Sequence, residues 1–156
     1  MKLSPEPVAT ELDPFADVQI SLPQGIIGFP EYHSAELVSS EEHAPFQWLK
    51  LKGPKATVTF VVVEPGGVIP NYELEIFDHD AYSLDLTESA DALILNIVTL
   101  GRPSPLDATI NLVGPILVNR RTLVGRQLVI ANYSKYSARH RLVSQPAEAS
   151  AALSSA

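Results

Sequence analysis

The run LPQGIIGFP at residues 22–30 decides the interpretation of this chain. It follows residues 16–22, in which apolar and polar residues alternate as they do in a strand with one buried face. Gly25 and Gly28 are expected to adopt turn conformations that a β-carbon disfavours. The run therefore predicts a strand that ends in a rigid, apolar loop. Such a loop either plugs the end of the fold or forms an exposed patch that needs a partner.

A second segment, NLVGPILVN at residues 111–119, has the same character. It joins strand-like apolar residues to a Gly-Pro turn, and it contains no residue type that acts as a nucleophile, acid or base. Together the two segments are typical of a small β domain that works through the shape of its surface. They favour a binding protein over an enzyme.

Period-two patterns and Gly/Pro punctuation predict many short strands. Residues 57–63 and 92–100 are apolar on both faces, which is typical of central strands that are covered on both sides. A short helix is predicted at residues 79–84 with Asp78 as its N-cap, and a single turn after Thr87. Further strands are expected at residues 34–39, 46–52, 108–112, 115–119 and 126–131. These elements predict a mostly β fold: a small antiparallel single domain, barrel-like or a sandwich, with one or two short helices.

The sequence predicts one domain with a tail at each end. Residues 1–14 show little periodicity and are interpreted as a flexible N-terminal tail. Residues 143–156, rich in Ala and Ser, are interpreted as a disordered C-terminal tail. Residues 15–142 form the β domain. With 156 residues and a hydrophobic fraction of 46%, the chain can bury a core.

Composition narrows the class of protein further. The chain has no cysteine, so disulfides and thiolate chemistry are absent. No apolar run approaches the roughly 20 residues that span a bilayer, and the first residues lack the pattern of a signal peptide. We therefore expect a cytoplasmic protein that does not bind a membrane.

Charge is distributed unevenly along the chain. The net charge is −7, which disfavours nucleic-acid binding because that binding depends on cationic side chains that neutralise phosphates. Residues 120–141 nevertheless contain six basic and no acidic residues, so the rest of the chain carries −13. The segment is interpreted either as an ordinary solvated face or as a patch that steers an acidic partner.

Signals for catalysis or metal binding are weak. The four histidines lack metal-ligand spacing, and three successive side chains such as Asp78, His79 and Asp80 rarely converge on one ion. No GxSxG, GxGxxG or P-loop sequence is present. We predict no catalytic residue, metal or cofactor. Two alternatives stay open: a small β-barrel metal-dependent enzyme that uses Asp78, His79 and Glu73, and a nucleic-acid-binding barrel that uses residues 120–141.

Two further segments are candidate interfaces because of their aromatic residues. Phe46 and Trp48 lie on one face of a predicted strand and anchor either the core or an interface. Residues 133–140 combine two tyrosines with an arginine and a histidine, a composition that favours an interface over a core. Asn96 lies in an otherwise apolar strand. We expect it to have a structural role with a buried hydrogen-bond partner.

A series of segments resembles the FliW family of flagellar assembly factors. The segments are LPxGIxGF at 22–29, PFxWL at 45–49, FVVVxP at 60–65, PNY at 70–72, LNIVT at 95–99, TxNLxxPIxVN at 109–119, QLV at 127–129 and YxxYxxRH at 133–140. Each is weak alone, but their order and spacing match the family across nearly all of the predicted domain.

The resemblance implies a β-barrel-like regulatory protein of the bacterial cytoplasm that has no catalytic activity. It implies binding to flagellin and, when the protein is free of flagellin, binding to and antagonism of the CsrA translational repressor of flagellin synthesis. We also expect a monomer when free and no direct contact with nucleic acid. The predicted partner-binding residues are Gly25, Ile26, Gly28, Phe29, Phe46, Trp48, Tyr133, Tyr136, Arg139 and His140. Among them, Ile26 and Phe29 are expected to supply apolar contacts, and Arg139 a charged hydrogen bond.

Overall fold

The computed structural model describes residues 1–6, 17–101 and 107–142. Short strands dominate this part of the chain. They are β1 (Lys2–Leu3), β2 (Val18–Ser21), β3 (Ser34–Ser39), β4 (Phe46–Lys52), β5 (Thr57–Val63), β6 (Leu74–Glu75), β7 (Ala92–Thr99), β8 (Thr109–Ile110), β9 (Ile116–Asn119), β10 (Gly125–Gln127) and β11 (His140–Arg141). The helices are α1 (Asp78–Ser83) and 3₁₀ turns at Glu41–His43, Ser89–Asp91 and Tyr133–Lys135. The predicted mostly β fold with short helices is confirmed.

Nine of these strands form one antiparallel sheet. Its main path runs β10–β9–β7–β5–β4–β3–β2, with β8 beside the end of β7 and β11 beside β8. The strands predicted at 34–39, 46–52 and 57–63 have the observed bounds. The β-branched residues of β5 and the two aromatic residues of β4 suit a pleated, half-buried surface.

The sheet curls but does not close into a barrel. Its terminal strands, β2 and β10, meet at one point, where Ser21 bridges Val124 and its amide donates to the Leu123 carbonyl over 2.9 Å. A closed barrel would need a continuous ladder between its first and last strands. The predicted barrel-like or sandwich fold is therefore refined: the sheet is curled but open.

Each face of the sheet covers its own hydrophobic core. On β7, alternate residues point in opposite directions, Ile94 into the first core and Leu95 into the second. This confirms β7 as a strand that is covered on both sides. On β5 only Val62 and Val63 are fully buried, so the same prediction holds for the end of that strand alone.

The first residues of the chain are ordered. β1 pairs with β6 in a separate two-stranded ladder, and the side chain of Leu3 is buried in the first core. The Glu6 carbonyl lies so close to Gly66 that a β-carbon on Gly66 would clash with it. Packing and backbone pairing therefore hold this segment on the domain.

The predicted flexible tail over residues 1–14 is thus corrected for residues 1–6. Sequence periodicity missed this strand because one buried leucine makes no repeating pattern. The remainder of that tail, from residue 7, lies outside the described residues. So does the predicted C-terminal tail at residues 143–156.

Two other elements differ from prediction in detail. Phe77 is the N-cap of α1 and makes no side-chain capping hydrogen bond, and Asp78 is the first residue of the helix, so the predicted N-cap is wrong. The turn expected after Thr87 is present as Ser89–Asp91.

Beyond β10, the amides of Leu128 and Ile130 continue to donate to carbonyls on the β9 side, each over 3.1 Å.

Candidate functional site

Residues 25–29 form a tight turn. The Phe29 amide donates to the Ile26 carbonyl over 2.8 Å, so Ile27 and Gly28 occupy the central positions. Gly28 has a φ of +88°, as the third residue of a type II turn requires. Gly25 has a φ of +64°, and a β-carbon there would clash with the Phe29 carbonyl oxygen. The special conformations predicted for both glycines are confirmed.

The turn buries one isoleucine and exposes the next. Ile26 is buried in the second core, whereas Ile27 at the tip is 65% exposed. Phe29 is half-buried and makes edge-to-face contacts with the rings of Tyr32 and Phe60. The prediction that Ile26 offers apolar surface to a partner is corrected, because its side chain points inward. Ile27 is the exposed isoleucine of this turn.

A groove of about 570 Å³ runs along the outer edge of β10. The turn with Ile27 forms one wall, and Phe77 with the start of α1 forms the other. Val129 also lines the groove, and both Phe77 and Val129 are 45% exposed. Grooves of this size with apolar walls are typical of binding sites. We therefore take this groove as the candidate site.

Sequence reasoning missed Phe77 and Val129 as site residues. One signal was available: Leu128, Val129 and Ile130 are three consecutive apolar residues next to a turn. A strand at the edge of a sheet points alternate side chains to opposite faces. Consecutive apolar residues of such a strand are all buried only if other elements cover both of its faces. Here Leu128 and Ile130 are buried and Val129 is not.

Two neighbouring residues of β10 hold the walls of the groove. Gln127 accepts a hydrogen bond from the Ile27 amide over 3.0 Å and donates one to the Gly114 carbonyl over 2.9 Å. Arg126 donates from Nη1 to Oδ1 of the buried Asp80 in α1 over 2.9 Å. One residue therefore fixes the turn and the other fixes the helix.

Phe46 and Trp48 share one face of β4, as predicted. Both are half-buried, and Phe46 packs against the first core. The ring of Trp48 meets the ring of His43 edge to face, with 4.6 Å between centroids. A role for either residue at an interface stays a prediction.

The predicted aromatic and basic cluster is anchored by one tyrosine. The Tyr136 hydroxyl accepts a hydrogen bond from the Glu73 amide over 3.0 Å, and its ring packs edge to face on Tyr72. Tyr133 and Arg139 are exposed. Tyr136 is therefore tied into the fold, and a role for the exposed Tyr133 and Arg139 at an interface stays a prediction.

The predicted site residues lie in three separate places. Trp48 and His140 belong to one cross-strand row of the sheet, with three strands between them. At ~4.8 Å per strand their backbones lie roughly 19 Å apart. Across the described residues, no hydrogen bond, ion pair or ring contact joins these positions to each other or to the turn at 25–29.

Most cationic side chains of residues 120–141 are paired with acids. The pairs are Arg120–Glu64, Arg121–Asp85, Arg121–Asp91, Arg126–Asp80 and Arg141–Asp107, with N–O distances from 2.9 to 3.6 Å. Hydrogen bonding to Asp91 raises the pKa of Arg121. This favours an ordinary charged face over a free cationic patch.

Asn96 lies in a buried polar cluster, where the structure gives it the hydrogen-bond partners that its sequence context predicts. Its Nδ2 donates to the Asn111 carbonyl over 2.8 Å and to the Tyr72 hydroxyl over 3.2 Å. The Tyr72 hydroxyl donates in turn to the Leu112 carbonyl, and burial raises the pKa of Tyr72. The cluster joins β7 to the segment between β8 and β9. These contacts support the structural role that the sequence predicts, although Asn96 Oδ1 is buried and has no hydrogen-bond partner among the described residues.

The residues of the metal-dependent alternative do not converge. Asp78 and His79 are exposed, whereas Asp80 is buried against Arg126. Within residues 1–6, 17–101 and 107–142, no three His, Cys, Asp or Glu side chains form a group that would hold a metal ion. No helix in these ranges has the length and apolar character needed to cross a membrane.

Comparison with known proteins decides the family. Residues 8–142 match the family model described as FliW protein. The chain belongs to the FliW family. The match covers the whole predicted domain at residues 15–142 and begins a few residues before it, which agrees with the resemblance found in the sequence segments.

Several relatives named flagellar assembly factor FliW align with most of the chain. The protein from Leptospira interrogans serovar Lai is 31% identical over 90% of this chain and 96% of its own length. The protein from Geotalea uraniireducens is 35% identical over 83% of this chain and 77% of its own length. The protein from Desulfitobacterium hafniense strain DCB-2 is 36% identical over 79% of each chain.

A solved FliW structure has the same fold. The crystal structure of the flagellar assembly factor FliW superposes with a TM-score of 0.71 and 28% sequence identity. The alignment covers 94% of this chain and 99% of that one. The overall fold described above is therefore shared with a FliW protein of known structure.

Proposed function

We propose that this chain is a flagellar assembly factor that binds flagellin in the cytoplasm. When free of flagellin, it binds and antagonises a CsrA-type translational repressor and so relieves repression of flagellin synthesis. It acts by occupying its partners and not by catalysis. Export of flagellin frees the protein, and accumulation of flagellin sequesters it.

Family membership carries this proposal. The family model spans residues 8–142, and the Leptospira relative aligns over 96% of its own length. The chain therefore aligns with almost the full length of the Leptospira relative.

The surface of the domain supports a protein partner. Three large apolar side chains, Ile27, Phe77 and Val129, are exposed around one groove. Apolar side chains that cluster on a surface favour association, because burying them against a partner removes them from water. The flagellin site is expected to include Ile27 and the neighbouring turn.

Charge supports antagonism of an RNA-binding repressor. The net charge is −7, and most arginines of residues 120–141 are already paired. A repressor that binds RNA needs a cationic surface. An acidic protein docked beside that surface repels RNA phosphates even where it does not cover the whole RNA site. Added salt is expected to weaken this effect.

Exchange between two partners requires moderate affinities. Dissociation constants from nanomolar to micromolar correspond to binding free energies of about −12 to −8 kcal/mol. Within that range, the free concentration of each partner decides which complex forms.

Co-purification from the native cytoplasm tests the proposal. We expect flagellin or the repressor to be recovered with the tagged chain, and purified flagellin to release the repressor from it. Reproducible absence of both, in cells that express both, would contradict the proposal. Displacement of the repressor from RNA that does not weaken with added salt would contradict its electrostatic part.

A further inference from the structure

The edge of β10 that faces the groove has unpaired backbone groups. The amides of Leu128 and Ile130 donate to carbonyls on the β9 side. Because backbone groups alternate in direction along a strand, Val129 and Gln127 point their N–H and C=O groups away from β9 and toward the groove. Within the described residues, no hydrogen bond engages these outward backbone groups.

This edge lacks the usual protection against strand pairing. Exposed sheet edges are generally blocked by lysine, proline, a bulge or a covering segment. Residues 127–129 contain neither lysine nor proline. The neighbouring Arg126 directs its guanidinium to Asp80 and Ser83 of α1. The edge is therefore open to an incoming strand.

Apolar side chains flank the edge on both sides. Ile27 is on one wall and Phe77 on the other. A strand that paired with Val129 would point successive side chains to opposite sides. A segment with consecutive apolar residues would place one against Ile27 and the next against Phe77.

We propose that the groove binds an extended peptide with consecutive apolar side chains, which joins the sheet as an added strand beside β10. Backbone hydrogen bonds to Gln127 and Val129 supply the affinity, and the two apolar walls supply the selectivity. The proposal follows from the edge and its walls, and it holds whether or not the peptide belongs to flagellin.

The shape of the site favours a peptide over a second copy of the chain. The β10 edge is recessed between the turn at residues 25–29 and the start of α1. An isolated strand enters this space. A second β10 is recessed between its own two walls, so the walls of the two copies would collide before the edges paired.

Amide hydrogen exchange of the full chain, measured by NMR, tests the proposal. The probe is an acetylated, amidated Lys-Val-Ile-Val-Lys peptide, titrated to millimolar concentration. Exchange at Gln127 and Val129 is expected to slow by about tenfold or more, since a new hydrogen bond protects an amide. Leu128 and Ile130 are already bonded and are expected to change little. Absence of protection at Val129 overturns the proposal.

Modified probes and wall variants sharpen the test. N-methylation of alternate peptide amides is expected to abolish binding in one register only, because only every second amide faces β10. Phe77→Ser is expected to weaken peptide binding by about tenfold. Tyr82→Ser, a change of another exposed aromatic residue of the α1 segment, is expected to leave it unchanged.

Three other outcomes overturn the proposal. They are equal effects of the two serine variants, equal effects of N-methylation in both registers, and concentration-dependent dimerisation that protects Val129 without peptide. If the probe peptide fails to protect Val129 while flagellin still binds the chain, this proposal is overturned and the proposed function stands.

Discussion

The groove along β10 and the polar cluster around Asn96 are opposites within one sheet. The groove exposes apolar side chains such as Ile27 and Val129. The cluster buries polar ones, Asn96 and Tyr72, and gives them hydrogen-bond partners inside the domain. Both depart from the usual rule of apolar residues inside and polar residues outside.

The difference between them separates structural from binding roles. Buried polar groups cost free energy unless they are hydrogen-bonded, and partners inside the fold bind Asn96 Nδ2 and the Tyr72 hydroxyl. Among the described residues, Asn96 Oδ1 is buried without a partner. Exposed apolar side chains around an unpaired strand edge have no such internal explanation. The cluster therefore sets stability, and the groove is where a partner is expected. The following predictions test this contrast.

The largest effect is expected at the turn that builds one wall of the groove. Gly25→Ala should lower the free energy of unfolding by about 3 kcal/mol or more, because its φ is positive and its β-carbon meets the Phe29 carbonyl. Gly28→Ala shares the positive φ but meets open space, so about 1 kcal/mol is expected. Urea denaturation measures both, and equal losses would refute the role of the close contact.

Burial should separate two asparagines with similar hydrogen bonds. Asn96→Ala is expected to cost about 3 kcal/mol, since it leaves buried partners unsatisfied and opens a cavity. Asn132 also makes two hydrogen bonds, to Glu73 and Glu75, but near the surface. Asn132→Ala is expected to cost about 1 kcal/mol. If denaturation curves show the same loss for both, the cluster is not the structural element described here.

Tyr72 should make the free energy of unfolding depend on pH in alkaline solution. Burial raises its pKa, so the folded state keeps a proton that the unfolded state loses above about pH 10. Its contribution to stability is complete below that pH and is lost as the pH rises further. Tyr72→Phe should lower the free energy of unfolding by about 1–2 kcal/mol at neutral pH and flatten the loss above pH 10.

Urea denaturation at a series of alkaline pH values measures this dependence. Tyr82→Phe serves as the control, because Tyr82 is exposed, and it should keep the wild-type profile. A steep loss of stability that persists unchanged in Tyr72→Phe would show that another group causes it.

The smallest effect on stability is expected at the tip of the turn. Ile27→Ser should change the free energy of unfolding by no more than about 0.5 kcal/mol, because the side chain is exposed. Thermal unfolding followed by circular dichroism checks this. A large loss would show that Ile27 packs into the domain and does not belong to the exposed wall.

The sequence predicted the long central strands because their pattern is local and repeated. The predicted bounds of β3, β4 and β5 agree with the structure, and β5 has a run of β-branched residues. β1 and β6 have two residues each, too short for any period to appear. Their pairing depends on contacts between residues far apart in the chain, which no sequence window contains.

The site was predictable only in part. Glycine spacing identified the turn at residues 25–29 but not which isoleucine it exposes, since a single residue of register exchanges the two faces. Phe77 and Val129 reach the same groove from segments about fifty residues apart. The ion pairs that neutralise residues 120–141 also depend on tertiary packing. The run of basic residues alone therefore did not show whether this segment forms an ordinary charged face or a free cationic patch.

Calorimetric titration of the purified full chain with flagellin from the same organism tests whether the groove with Ile27 binds flagellin. We predict binding by the wild type, about tenfold weaker binding by Ile27→Ser, and wild-type binding by Leu100→Ser, which changes a side chain that is 61% exposed but lies outside the groove. Absence of flagellin binding, or equal affinities for the two variants, would contradict it.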